Sequence, residues 1–401
     1  MTHFHFRRQS SNARMLALLA RPHFHAAAAS LLAANKPCRK MTVAKRTGLV
    51  AISMRQLALG AAALALLAAS TAAGAQSYTF SFLDGLGGSY SVANGINNAG
   101  QVVGFSYTTG NSTHATLWNG ITPTALGGTD SVAFAINNAG QVVGYSGNHA
   151  TIWNGTTPTL LYDTGYTSSW ARGINNAGQV VGAYTGPSIP ILWNGTTAIG
   201  LGNSVGYGDT ATGINDAGQI VGDLNYGAHA VLWNVTTHAT FLDDLGGSYS
   251  GANGINNVGQ VVGYSGHHAT IWNGTTPTAL DGLSGGFSIA AAINNDGQVV
   301  GESQTTPGGA VHAIIWNGTT PIDLNKYLDS NLANAGWFLS SANGINDIGS
   351  IVGQARTRPD GESRAYVLSV TAVPEPQTYA LMLAGLGMVC FATLRRKPAN
   401  A

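Results

Sequence analysis

The sequence predicts an all-β fold made of seven repeats of about forty residues. The chain has 401 residues, of which 54 are glycine and only 9% are charged. This composition argues against a coiled coil, a cytosolic α/β enzyme or a charged disordered chain. The segment Ile-Asn-Asn-Ala-Gly-Gln-Val-Val-Gly, or a close variant, occurs seven times, and a fixed period of this size is typical of propellers, solenoids and repeat arrays. The copies begin at Ile96, Ile136, Ile174, Ile214, Ile255, Ile293 and Ile345, with spacings of 40, 38, 40, 41, 38 and 52 residues.

Each copy predicts four short strands. In the second copy they cover residues 131–137, 141–145, 149–153 and 157–161. The Asn-x-Gly turn at 138–140 separates the first two strands and places glycine where positive φ is needed. Asn154-Gly155 is a strong signal for a two-residue hairpin between the last two. Four antiparallel strands in forty residues make one propeller blade.

The ends of the repeat region predict how the blades close. Six copies have a fourth strand, whereas the seventh runs directly into the C-terminal segment. Residues 78–88 resemble the fourth strand and loop at 240–247. We therefore predict a seven-bladed β-propeller closed by its N-terminal strand, which would remove exposed sheet edges. The alternative is an open β-solenoid, which would need capping repeats that the sequence does not show.

The N-terminal region has the features of a targeting segment. Residues 1–53 hold nine of the eighteen Lys and Arg residues and no acidic residue, and we expect a disordered leader or a start annotated too early, with translation beginning at Met54. Residues 54–75 combine Arg55, an apolar run and small residues, the pattern of a secretory signal peptide. We predict that signal peptidase cleaves after Ala75.

The C-terminal region 373–401 contains a second sorting pattern. Pro374-Glu375-Pro376 is followed by an apolar run, for which we predict a short transmembrane helix over residues 378–394, and then by Arg395, Arg396 and Lys397. This order resembles the PEP-CTERM sorting signal of Gram-negative bacteria. The resemblance implies export, transient anchoring in the inner membrane through that helix alone, and release by an exosortase to the exterior or cell surface.

Residues 76–372 resemble a known repeat family. The Ile-Asn-x-x-Gly-Gln-Val-Val-Gly segment followed by His-Ala-x-x-Trp, as at 149–153, is similar to the HAF-family extracellular repeats. The phenylalanine of the family's His-Ala-Phe motif is here replaced by Thr, Val or Ile, as at Thr116, Val231 and Ile314, and the third copy breaks the motif with Ile189-Pro190. The resemblance implies an exported β-propeller-like module and implies no established catalytic activity.

Composition excludes several function classes for this region. Residues 76–372 hold sixteen acidic and five basic residues, a formal net charge of −11, so nucleic acid is not an expected partner. Both cysteines, Cys38 and Cys390, lie outside it, so no disulfide is expected. Glu302 and Glu362 are its only glutamates, and it has no nucleophile elbow or zinc-protease motif. We expect no enzyme activity, cofactor or metal.

Two residue types recur in the predicted third strands. The tryptophans are assigned to packing between blades, because equivalent positions around a ring are mostly core. The histidines four residues earlier do not form a metal ring, since Ile189 and Arg364 replace two of them. We expect these histidines to be buried and to bond backbone carbonyls. The tryptophans are Trp118, Trp153, Trp193, Trp233, Trp272 and Trp316, and the histidines are His114, His149, His229, His268 and His312.

A binding surface is predicted where the sequence varies between repeats. Binding residues are commonly found in variable loops on a fixed scaffold, and these loops carry five aromatic residues beside glycine or serine: Tyr90, Trp170, Tyr207, Tyr249 and Phe287. Flat rings next to small polar groups suit stacking on sugars, although packing between blades would also explain them. We expect a non-catalytic biofilm, exopolysaccharide-matrix or surface binding component. The alternative is a secreted glycan lyase or hydrolase, which a cluster of His, Tyr, Arg and Asp at the channel mouth would favour.

Overall fold

The described part of the chain is almost entirely β-structure. The computed structural model describes residues 77–371 except 129, 162–164, 166, 187, 196, 202–207, 235–238, 285 and 358–360, all within the unit Ala68–Ala401. The predicted leader, signal peptide, cleavage site at Ala75, sorting signal and membrane helix at 378–394 lie outside these residues. None of the helices within them has the length and apolar character needed to span a bilayer.

The strands follow the repeats. An N-terminal strand, β1 (Ser77–Phe82), precedes them. The first repeat forms β2 (Gly87–Ile96), β3 (Val102–Thr108), β4 (Thr113–Asn119) and β5 (Thr122–Ala125). The second forms β6 (Ser131–Ile136), β7 (Gln141–Ser146), β8 (His149–Asn154) and β9 (Thr157–Leu160). The third forms β10 (Ser169–Ile174), β11 (Gln179–Tyr184), β12 (Ile189–Asn194) and β13 (Thr197–Gly200).

The later repeats have the same order. The fourth forms β14 (Thr210–Ile214), β15 (Gln219–Leu224), β16 (His229–Asn234) and β17 (Ala239–Phe241). The fifth forms β18 (Ser250–Ile255), β19 (Gln260–Ser265), β20 (His268–Asn273) and β21 (Thr276–Ala279). The sixth forms β22 (Ser288–Ile293), β23 (Val299–Gln304), β24 (Val311–Asn317) and β25 (Thr320–Asp323). The seventh forms β26 (Trp337–Ile345), β27 (Ile351–Thr357) and β28 (Ser363–Thr371).

Each repeat from the second to the sixth is a separate sheet of four antiparallel strands in sequence order. The remaining eight strands are β26–β27–β28 with β1, and β2–β5, joined by a single parallel bridge between Tyr90 and Ser363. The strands predicted in the second repeat agree with β6–β9 to within one residue at each end.

A bulge bends the first strand of every repeat. In β6 the register against β7 shifts between Ala133 and Ala135. The facing Gly144 approaches so closely that a Cβ there would lie 1.9 Å from the Val132 carbonyl oxygen. The glycine of each Val-Val-Gly segment is therefore required for close approach of backbone at the bulge.

The N-terminal strand occupies the fourth position of the last sheet. β1 pairs antiparallel with β28, from Ser77 opposite Thr371 to Phe82 opposite Tyr366. The following residue, Leu83, is fully buried, and its N–H donates to the carbonyl of Ala365 at 2.9 Å. Leucines that follow the fourth strands of other repeats make the equivalent bond, as Leu126 does to Ala115. This pairing agrees with the sequence-based expectation.

Among the described residues the apolar core consists of seven clusters, each between two consecutive sheets. Six join neighbouring repeats, and the seventh joins the last to the first by packing Val352 and Ala365 against Ala93, Val102 and Trp118. The prediction that the third-strand tryptophans form core is confirmed, because all six are at most 3% exposed. Trp118, Trp153, Trp272 and Trp316 also donate from Nε1 to backbone carbonyls at 2.8–2.9 Å.

The longest spacing, 52 residues, contains an insertion before β26. Its helices are a 3-10 turn at Leu324–Tyr327 and the short helix α1 at Ser330–Asn334, and the side chains of Asp323 and Asp329 cap their N-termini. The insertion packs on the last sheet, since Leu324 and Leu328 belong to the same buried cluster as Tyr78 of β1.

Candidate functional site

The turns of the repeats are divided between two faces. The turn between the first and second strands lies beside the turn between the third and fourth, because glutamines link them: Gln101 Nε2 donates to Asn119 Oδ1, and Gln141 Nε2 to Asn154 Oδ1, both at 3.2 Å. We call this side the asparagine face. The loop face carries the turns between second and third strands and the connections between repeats.

Buried asparagines on the asparagine face form a closed cycle of hydrogen bonds. Each donates from Nδ2 to the backbone carbonyl of its counterpart in the next repeat at 3.0–3.1 Å, and Asn346 of the last repeat donates to Asn97 of the first. All seven are 3–4% exposed. Their partners satisfy the buried amides, so this ring ties the repeats together. Its members are Asn97, Asn137, Asn175, Asn215, Asn256, Asn294 and Asn346.

A second ring of polar side chains surrounds a small cavity. In each repeat the residue after the buried asparagine donates its backbone N–H to the side-chain Oδ1 of its counterpart in the next repeat, at 2.8–2.9 Å. These residues and the Ile-Asn pairs before them line a cavity of about 210 Å³. The ring consists of Asn98, Asn138, Asn176, Asp216, Asn257, Asn295 and Asp347.

The two carboxylates of this second ring are bridged by neighbouring carboxamides. Asp216 Oδ2 accepts from Nδ2 of Asn176 and of Asn257 at 2.9 and 2.8 Å. Asp347 Oδ2 accepts in the same way from Asn98 and Asn295 at 2.7 and 3.0 Å. Burial opposes ionisation, but these bonds and those from backbone N–H groups outweigh it and lower the pKa of both carboxyls. Both aspartates therefore stay ionised and support the junctions.

Two of the five predicted aromatic residues lie together on the loop face. Tyr249 OH lies 3.1 Å from His267 Nδ1, and the His267 ring packs edge-on against Phe287 of the next repeat, with centroids 6.1 Å apart. They line a cleft of about 530 Å³ with Gln304 and Pro307. Tyr249 and Phe287 are half-buried and His267 is exposed, so one edge of this aromatic cleft is open to solvent.

The other predicted residues are placed separately. Tyr90 stacks on Phe105 with centroids 5.7 Å apart and accepts a bond from Gln354 Nε2 at 3.0 Å, contacts that favour packing. Trp170 is 37% exposed and lies 6.2 Å from Tyr145, centroid to centroid. Tyr207 is outside the described residues.

A charged cluster that the sequence analysis did not single out lies beside Trp170. The Arg172 Cζ is 4.5 Å from the ring centroid of Phe134 and 5.0 Å from that of Trp170. Burial lowers the pKa of this guanidinium, against the opposing charges of Asp223 and Tyr145. Burial and the nearby Asp209 raise the pKa of Asp223 to about 6, although hydrogen bonds from Gly227 and Thr210 and the charge of Arg172 oppose the shift.

One sequence feature could have indicated this cluster. Arg172 is the only basic residue from 76 to 325. Asp223 follows the Val-Gly of its repeat, at a position whose residue changes in almost every copy: Phe105, Tyr145, Ala183, Asp223, Tyr264, Glu302 and Gln354. Variation inside an otherwise fixed segment is the signal. Glu302 is a second acid there, and burial raises its pKa while Arg356 opposes the shift.

The prediction of buried histidines is wrong. His114, His149 and His312 are half-buried, and His229 and His268 are exposed, because each stands at or near the start of its strand, where the sheet meets the loop face. His312 Nδ1 lies 2.7 Å from Asp323 Oδ2, so its partner is a carboxylate. In the part of the chain that is described, no group of three or more His, Cys, Asp or Glu could hold a metal.

Comparison with known proteins concerns the C-terminus. Residues 372–397 match the PEP-CTERM protein-sorting motif. The match includes Pro374, Glu375, Pro376, Arg395 and Arg396, the residues singled out in the sequence. This motif indicates a protein that is exported to the cell envelope or surface and processed by an exosortase system. A search of curated proteins gave no match to the chain.

Proposed function

We propose that the chain is an exported, non-catalytic β-propeller of the HAF-repeat type that binds extracellular polysaccharide after exosortase processing. The closed cycle of asparagine bonds and the pairing of β1 with β28 support a ring of seven blades. In this proposal the signal peptide ends at Ala75, and the helix at 378–394 anchors the protein only until the exosortase acts. The mature protein then belongs to the matrix or the cell surface.

The observation that carries the binding proposal is the aromatic cleft on the loop face. Tyr249, His267 and Phe287 bring flat ring surfaces from consecutive repeats to one opening. Aromatic faces bind the C–H faces of sugars. Gln304 also lines the cleft; its Oε1 accepts from the N–H groups of Phe287 and Gly308, and its Nε2 can donate to sugar hydroxyls. Loops on a rigid scaffold can differ from repeat to repeat without changing the core.

Affinity electrophoresis tests this proposal. The secreted protein is run in native gels with and without exopolysaccharide from its own host. Retardation of the wild type should be lost or strongly reduced in Tyr249→Ala and Phe287→Ala. Phe241→Ala is the matched control, since Phe241 is 53% exposed and lies outside the cleft. Equal retardation of all four proteins, or of none, contradicts the proposal.

A specific observation also favours the enzymatic alternative. Asp223 has a pKa of about 6 and lies near Arg172 and Tyr264, and a carboxyl titrating close to neutrality suits general acid or base catalysis. A glycan lyase or hydrolase would use such groups. Incubation of the exopolysaccharide with the protein, followed by assays for new reducing ends and unsaturated sugars, tests this alternative. It requires product from the wild type and none from Asp223→Asn.

A further inference from the structure

Arg172 differs from its counterparts in the other repeats. It stands at the bulge of β10, between Ala171 and Gly173, where the register shifts. At this position four repeats have a side chain that donates to a backbone carbonyl of the next repeat at 2.6–2.9 Å. Those residues are Asn94, Thr212, Asn253 and Asn343. Arg172 Nε is instead buried with no hydrogen-bond partner among the described residues.

This arrangement leaves a cation incompletely compensated. The guanidinium lies over the rings of Phe134 and Trp170, which provide cation–π attraction but no hydrogen-bond acceptor. A buried N–H of a charged group without an acceptor is costly. Arg172 as a whole is only half-buried, so an anion from solution can reach part of the side chain. Because Nε itself is buried, an anion would contact the accessible part of the side chain and compensate its charge there.

The surroundings of Arg172 restrict the shape of that ligand. Trp170 and Tyr145 form a tilted pair, with centroids 6.2 Å apart and planes at 33°, and Trp170 is 37% exposed. A flat apolar surface thus adjoins a cation. A uronic acid residue combines a ring that stacks on an aromatic face with a carboxylate that matches the guanidinium fork.

We propose that Arg172 and Trp170 bind a uronic acid residue of an acidic polysaccharide, with its carboxylate on the Arg172 guanidinium and its ring on Trp170. This inference rests on the proposed function and narrows the polysaccharide to one bearing carboxylates. The acidic side chain that interacts electrostatically with Arg172 is Asp223. The site thus combines Tyr145 of the second repeat with Trp170 and Arg172 of the third.

Calorimetry on the purified secreted protein tests the inference with three probes: pentagalacturonate, neutral maltopentaose and sodium sulfate. Arg172→Met keeps a flexible apolar stem between the rings and removes the charge, while Arg172→Lys keeps the charge and removes the fork. Thermal unfolding verifies that each variant folds. Arg172→Met removes a charged bidentate partner and should weaken pentagalacturonate binding by about tenfold or more. The affinity of Arg172→Lys should lie between those of Arg172→Met and the wild type. Maltopentaose binding should be unchanged.

Two results overturn the inference directly: no binding of pentagalacturonate to the wild type, or equal affinity in wild type and Arg172→Met. A third is displacement of pentagalacturonate by sulfate at concentrations that do not affect maltopentaose binding, which identifies an adventitious anion site only. Failure of the broader proposal is distinguishable. If Tyr249→Ala leaves gel retardation unchanged while Arg172→Met abolishes pentagalacturonate binding, the aromatic cleft is excluded and the uronate site stands. If instead Tyr249→Ala loses gel retardation while Arg172→Met binds pentagalacturonate as the wild type does, only the uronate site is excluded.

Discussion

The side-chain amide of Asn346, in the last repeat, donates a 3.0 Å hydrogen bond to the backbone carbonyl of Asn97, in the first, 249 residues earlier in the chain. The same bond joins each of the six remaining pairs of consecutive repeats. The junction between the ends of the repeat region is thus built like the internal junctions, and the repeats form one hydrogen-bonded cycle.

Asn346→Ala should destabilise the protein about as much as Asn175→Ala at an internal junction. Either change leaves a turn N–H without its acceptor and removes the side-chain bond to the next repeat's carbonyl, which still accepts from a turn glycine; the expected cost is about 2 kcal/mol. Chemical denaturation of the two variants measures this. A near-neutral Asn346→Ala beside a costly Asn175→Ala would mean that the terminal junction is open in solution.

The N-terminal segment should contribute as much as an ordinary fourth strand. Leu83 and Leu280 are both at most 2% exposed and both donate their N–H to an alanine carbonyl of the neighbouring third strand. Truncating a buried leucine to alanine costs about 3 kcal/mol, so Leu83→Ala and Leu280→Ala should lower the free energy of unfolding equally. A much smaller effect for Leu83→Ala would show that β1 is not docked.

Gly263→Ala should be among the most damaging substitutions of a single small residue. The added Cβ would lie 1.9 Å from the Gly251 carbonyl oxygen, and because backbone cannot retreat easily, the expected cost is about 3 kcal/mol or more. Gly200→Ala is the matched control, since a Cβ there meets nothing within 4 Å. It should be neutral or stabilise by about 0.5 kcal/mol. Melting temperatures that fall equally in both variants would contradict the close approach at the bulge.

The sequence predicted the strand pattern well because its seven repeats can be aligned with one another. Seven copies of one segment identify the turns and the tryptophan position, and the likeness of residues 78–88 to 240–247 predicts the fourth strand of the last sheet. Burial of the histidines was predicted wrongly, because alternation along a strand says which side a residue faces but not whether loops cover the strand's end.

The proximity of the residues in the charged cluster could not be derived from the sequence, for a different reason. Arg172, Tyr145 and Asp223 belong to three repeats, and Arg172 interacts with the other two only because neighbouring sheets pack side by side. Periodicity aligns equivalent positions, whereas this cluster joins non-equivalent ones: a bulge residue of one repeat and second-strand residues of those beside it. The individual departures from the repeat were visible, but their proximity was not.

Two aspartates should change the pH dependence of stability in opposite directions. The folded-state pKa of Asp223 is raised from 3.8 to about 6, so the folded protein holds this proton more tightly than the unfolded chain. Its contribution to stability is therefore highest below about pH 4, declines between about 4 and 6, and reaches a constant penalty above, up to about 3 kcal/mol. Asp223→Asn should remove the decline and stabilise the protein at pH 7.

Asp216 is the matched comparison, because neighbouring amides lower its pKa. Its stabilising contribution is present above the unfolded-state pKa and is lost as the pH falls through the folded-state value, so Asp216→Asn should weaken the protein at pH 7 and leave it unchanged in strong acid. Denaturant titrations of wild type and both variants from pH 3 to 8 measure the differences. If Asp223→Asn parallels the wild-type curve across that range, Asp223 titrates as an ordinary exposed carboxyl, and its burial beside Asp209 does not persist in solution.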